Sequence, residues 1–170
     1  MLSRRRAKVF SFNILVQAMT RPWKKGRGKL GFMQPLLGQW VAQAETPMGT
    51  IRCTRAFIEM GAWIRLEARW EFGGPDGKAY QEIALIGVGD GGEVGFWSFT
   101  SDGKRSQGTV ADVSDLHENA LGFEAQMPAG LARMAYWPDE DGGGFYWVVE
   151  SKTKKGWNRF VKHHYLPLVA

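Results

Sequence analysis

Cys53, Arg55, Arg133, His163, His164 and Tyr165 are the side chains through which this chain could do chemistry, and all of them fall in strand-like stretches. Their types suit a pocket better than a reaction. An arginine turned into an apolar interior must find a carboxylate, a ligand's acid or the face of an indole, because an isolated buried charge is too costly. His163 and His164 are adjacent, so on a strand they face opposite ways and do not ligate one metal together. His117 stands apart from both, without carboxylate or cysteine spacing that would make a metal site. Asp90, Asp139, Glu140 and Asp141 lie in turns that lack the order of a calcium loop. The glycines punctuate hairpins and open no helix, so no phosphate loop is formed. Cys53 has no local base to activate it and reads as a small buried hydrophobe. No Ser/His/Asp arrangement is singled out, which points to a non-enzymatic protein; a Tyr/His/Arg acid–base site in a barrel mouth is the catalytic alternative.

The elements that must position these groups are strands. After Leu36-Leu37-Gly38-Gln39-Trp40 the chain breaks into ten alternating segments, at about 39–46, 50–58, 62–72, 79–88, 93–100, 104–112, 119–127, 131–137, 144–151 and 156–166. Gly73-Gly74-Pro75-Asp76-Gly77, Gly89-Asp90-Gly91-Gly92, Ser101-Asp102-Gly103 and the Asp139–Gly144 run supply hairpin chemistry between them. Eight Trp and ten Phe in 170 residues suit pleated faces. The fold class that follows is all-β: one antiparallel up-and-down barrel of about ten strands, spanning 31–170, with a short helix before it.

Alternation assigns faces. Ile64, Leu66, Ala68, Trp70 and Phe72 share the inner face of the third strand, and Arg65, Glu67, Arg69 and Glu71 form an outer ladder of cross-strand ion pairs. In the second strand Ile51, Cys53, Arg55 and Phe57 point inward together. The same counting groups Leu131, Arg133, Ala135 and Trp137, and then Trp157, Arg159, Val161, His163 and Tyr165. Phe96–Phe99 and Gly143–Val149 are apolar on both faces, so a second cover is needed, either the N-terminal arm or another subunit in a homodimer.

Charge divides the chain. Nine of its 22 basic residues precede Leu30, no acid precedes Glu45, and the remainder carries 13 bases against 17 acids. Residues 1–30 therefore form a basic arm. Phe10, Ile14, Leu15 and Ala18 fall on one helical face before Pro22, which suits a short helix lying on the barrel. Positions 4–29, with the run Trp23-Lys24-Lys25-Gly26-Arg27-Gly28-Lys29, also have the make-up of a segment that touches anionic lipid or a nucleic-acid backbone. Arg4–Lys8 before Val9–Val16 resembles a secretory leader, but Ser11 and Asn13 interrupt the run, and Met19 is an alternative start. The single cysteine allows no internal disulfide and favours a reducing, cytoplasmic setting.

Leu36-x-Gly38-x-Trp40 resembles the Gly-x-Trp signature of lipocalins and the wider calycin group. It is more similar still to an uncharacterised bacterial family of lipocalin-like barrels, in which that start precedes a strand ending near a Gly (Gly61). A central Ser-Asp-Gly turn (Ser101-Asp102-Gly103) follows, and the last strand opens Gly156-Trp157-Asn158-Arg159. The likeness spans 35–168. It implies structural roles for Gly38, Trp40 and Arg159, with Arg159 stacked over the Trp40 indole to close the barrel floor. Haem-binding barrels of the nitrobindin type also open with Gly-x-Trp, but Val41-Ala42-Gln43-Ala44 replaces their following Gly-x-Gly. Their late axial histidine would correspond to His163 or His164; no cofactor is expected, and haem on His163 is the exception to test.

The function these readings favour is binding of a small apolar ligand, with a carboxylate as its polar group. Its site would comprise Arg55, Phe57, Trp70, Phe96, Arg133, Trp137, Trp147, His163 and Tyr165. The alternative is a barrel filled by its own aromatics that acts through the basic arm.

Overall fold

In the computed structural model, which describes residues 23–47, 49–73 and 77–169, all ten expected strands are present. They are β1 (Gly38–Thr46), β2 (Gly49–Met60), β3 (Trp63–Phe72), β4 (Ala79–Val88), β5 (Val94–Thr100), β6 (Arg105–Ala111), β7 (Leu121–Met127), β8 (Gly130–Pro138), β9 (Phe145–Thr153) and β10 (Gly156–Pro167). Each pairs antiparallel with its sequence neighbour, and β1 pairs β10 to close an up-and-down barrel. The expected helix over Phe10–Ala18 and the leader-like run lie outside the described residues. Closure leaves no strand edge to protect.

β2 and β3 form as their alternation requires. Ile51, Cys53, Arg55 and Phe57 are buried and pair in register with Phe72, Trp70, Ala68 and Leu66, so both strands present one continuous inner face. On the outer face the Arg/Glu ladder runs mainly along the strand. Arg65–Glu67 at 3.0 Å and Arg69–Glu71 at 2.8 Å are same-strand pairs; Arg52–Glu71 at 3.7 Å is the cross-strand one.

A 3-10 helix over Gly31–Leu36 plugs one end, with Met33 and Leu36 fully buried. The Trp40 indole donates from Nε1 to the Leu36 carbonyl at 2.7 Å and meets Phe145 edge-on at 4.8 Å. Gly38 has φ +121°, a conformation open to glycine, and lets the chain swing from the plug into β1. Residues 23–30 belong to this closed end. Trp23 donates from Nε1 to Asn119 O at 2.9 Å and packs on Phe145, so its ring is spent on the barrel and does not offer a stacking platform. Arg159 does not lie over Trp40 as the lipocalin likeness implied. Its Nε bonds Glu150 Oε1 at 2.9 Å, and its guanidinium sits over Trp137 instead.

The reason is a β-bulge between Arg159 and Val161, which shifts the phase of β10. Trp157 and Arg159 therefore face outward, while Val161, His163 and Tyr165 face in. β8 also departs from the expected register. Met134 and Tyr136 point into the main core, whereas Arg133, Ala135 and Trp137 point out. The Asp112–Ala120 connection lies over this outer face. Val113, Leu116 and Ala120 from it pack on Ala135, Trp137 and Val148. Arg133 latches this cover: it bonds Asp115 through Nη1 and Nη2 at 2.9 and 2.8 Å, and Glu150 through Nε at 2.7 Å. Outside β5 the second apolar face is partly covered by a Trp63–Trp97 pair at 5.6 Å lying against Gly87, where a Cβ would meet the Trp63 ring at 2.2 Å.

Arg133→Ala would leave the buried Glu150 with Arg159 alone and Asp115 with no arginine. The expected cost is about 3 kcal/mol in denaturant unfolding, with faster amide exchange across 112–120 than in β2 or β3. A loss below about 1 kcal/mol would show that the latch is a weak surface pair.

Candidate functional site

The centre of the barrel is organised around a buried cation. Arg55 is 1% exposed. Its Nε donates to the Tyr165 hydroxyl at 3.2 Å and its Nη1 to the Tyr136 hydroxyl at 3.3 Å, and its guanidinium lies 3.8 Å from the Trp147 ring centroid. Nη2 has no hydrogen-bond partner among the described residues. Burial works against the Arg55 charge, while Tyr136, Tyr165 and the Glu82 carboxylate favour it, and the balance keeps the group protonated. The same burial pushes the Tyr136 hydroxyl up to about 12 and the Cys53 thiol up to about 11, so Cys53 is a core thiol and not a nucleophile.

Above this layer lies a cavity of about 400 Å³. Trp70, Phe96, Phe123, Met127, Met134, Trp147 and Val149 supply its apolar lining, with Tyr80, Glu82, Ser106 and Ser151 as the polar groups and Phe160 at the rim. The lining comes from strand ends on the side opposite the Gly31–Leu36 plug, and among the described residues that end carries no plug.

Of the residues expected at the site, Trp70, Phe96 and Trp147 line the cavity. Arg55 and Tyr165 lie beneath it, on the far side of the Trp147 ring. Phe57 is buried nearer the plug, edge-on to Tyr136 at 5.8 Å. β8 brings Arg133 to the cavity's edge, but its guanidinium is bound on the outer face, where Trp137 packs on Tyr146 at 5.8 Å. His163 faces inward but is walled off by Trp70 and Trp147, each with its ring 5.5 Å away. Its Nδ1 is buried without a partner, and burial and then Arg55 lower its pKa from 6.5 to about 4. An axial ligand must reach the cavity; His163 is not part of its lining and no other histidine is, so the lining does not fit haem. His164 points outward, bonded to Asp139 at 2.9 Å and stacked on Tyr146. Among the described residues no cluster of three His, Cys, Asp or Glu side chains could hold a metal ion. No described helix is long and apolar enough to cross a membrane.

Glu82 is the group that sequence reasoning missed. In β4 the inner face is Tyr80, Glu82, Ala84 and Ile86, while Ile83, 53% exposed, faces water beside its cross-strand partner Phe99. Hydrophobicity alone favours the opposite phase. The signal that resolves it is the neighbouring strand: Arg55, Ala68 and Glu82 fall in one register row, and the small Ala68 leaves room for base and acid to face the same interior. Glu82 Oε1 accepts from Ser98 Oγ at 2.6 Å.

No protein-family model matches this chain, and no curated protein matches it.

Because native His163 takes up a proton only near pH 4 while the unfolded chain does so near 6.5, the unfolded state binds more protons between those values. Stability should therefore fall as pH drops through that window, by up to roughly 3 kcal/mol from this residue. His163→Phe should flatten that slope in urea titrations at pH 7 and pH 4.5. In Arg55→Met the His163 ring signals should titrate at higher pH than in the parent, since one of its two depressing causes is gone; an unmoved titration would dissociate the two groups.

Proposed function

We propose that the protein binds one small, largely apolar molecule inside the barrel. The observation that carries this reading is the cavity of about 400 Å³ among Trp70, Phe96, Phe123 and Trp147, which lies within the size range of small-molecule sites and has few polar groups. A barrel filled by its own aromatics would leave no such volume. The rings that could have filled it are held to the wall: Trp70 against Tyr80 and His163, Phe96 edge-on to Phe123, and Trp147 on the Arg55 guanidinium. Binding needs no catalytic group, and Cys53, Tyr136, Tyr165 and His163 all lie off the lining. The carboxylate expected on the ligand keeps one candidate partner, Arg55 Nη2, behind Trp147.

The test is titration with N-phenyl-1-naphthylamine, a neutral apolar probe, read by its fluorescence and by quenching of Trp70 and Trp147. One-to-one binding in the micromolar range, on the order of 8 kcal/mol, is expected. Ala132→Trp, which fills the lining from β8, should abolish it with the barrel still folded by circular dichroism. Absence of binding to the folded parent would return the barrel to a filled structural role.

A further inference from the structure

We propose that the ligand of this cavity carries a protonated amine and that Glu82 receives it. This rests on the interior-ligand reading above and deepens it. Glu82 is the carboxylate of the lining, on the inner face of β4. Ser98 occupies Oε1 at 2.6 Å, and Oε2 accepts no hydrogen bond from the described residues. An ionised oxygen open to an apolar cavity is a strong acceptor whose best partner is a cationic donor, because charge-assisted bonds are about twice as strong as neutral ones. The surroundings suit the same head group. Trp70, Phe96 and Trp147 bring aromatic rings to the cavity that holds Glu82, and such rings attract cations.

An acid would meet the opposite conditions. It would bring a second negative charge beside Glu82, and the two like charges would repel. The two arginines of the neighbourhood do not answer it at the lining. Arg133 is committed to Asp115 and Glu150, and Arg55 stands behind the Trp147 ring with two of its nitrogens on Tyr136 and Tyr165. Arg55 also explains how Glu82 is tolerated in the interior: the base stands in the same register row across Ala68 and feels the field of the acid, without forming an ion pair. The acid therefore keeps an oxygen for a guest.

Three probes on one skeleton separate the alternatives: 4-phenylbutylamine, 4-phenylbutan-1-ol and 4-phenylbutanoate, titrated calorimetrically at pH 7 and low salt. The amine is expected to bind about tenfold tighter than the alcohol, with the acid weakest. Glu82→Gln, nearly isosteric and still able to bond Ser98, should bring the amine down to the alcohol's affinity and leave the alcohol within about twofold. If that variant fails to fold, the ranking on the parent protein decides by itself. Equal binding of amine and alcohol, or an amine affinity that Glu82→Gln leaves intact, would overturn the amine assignment while the interior-ligand reading stands. Tightest binding by the acid, lost in Arg55→Met, would overturn it in favour of an anionic ligand. If none of the three binds and N-phenyl-1-naphthylamine does not either, the interior-ligand reading itself fails.

Discussion

Burying a guanidinium at the centre of a barrel is the constraint to which the rest of the interior answers. Among the described residues no carboxylate lies within ion-pair distance of Arg55, and its charge is met by two phenol oxygens, one indole face and the field of Glu82. Each of those partners is thereby fixed in place. Tyr136 and Tyr165 must point inward from β8 and β10. Trp147 must lie flat between the cation and the space above it, and so becomes the cavity floor. His163, beside the same charge and the same indoles, is held neutral to well below its ordinary pH range. Buried ions of this kind are weak contributors to net stability, but removing one partner from such a set is costly. That asymmetry favours a single arrangement of the interior over a merely compact one.

The barrel's two ends are built differently. The Gly31–Leu36 plug, pinned by the Trp40 indole and backed by Phe145 and Trp23, closes one end with large apolar groups. Among the described residues nothing equivalent crosses the other end, where the lining of Trp70, Tyr80, Met127 and Phe160 reaches the rim. On the outside, the wall of β8 and β9 is apolar as well, and the Asp112–Ala120 connection covers it under an Arg133 latch. The protein thus has two apolar layers on one side of the barrel. Trp137 and Tyr146 serve the outer layer and not the cavity.

Strand number, turn positions, barrel closure and the faces of β2 and β3 were legible in the residues. Period-two alternation reports a face unambiguously when the opposite side meets water, as Arg65, Glu67, Arg69 and Glu71 do. Trp70 on the cavity wall follows from that rule, and so does the burial of Arg55; Phe96 and Trp147 sit in stretches that are apolar on both faces. Where both faces are apolar the rule has nothing to contrast. Trp137 and Tyr136 are equally good core residues by chemistry, and only the folding of Asp112–Ala120 onto β8 decides that Trp137 faces out. In β10 one extra residue at the Arg159/Val161 bulge inverts the phase, and a bulge is set by pairing with β9, which no local pattern encodes. Glu82 lay hidden for a related reason: a carboxylate faces inward there in the same row as Arg55 of β2, a match that depends on the registers of the β2–β3 and β3–β4 hairpins and not on any local pattern. The sequence by itself thus determined the barrel and its inward arginine. The cavity, its acid and its outer cover were decided by tertiary structure, because each depends on which strand stands next to which.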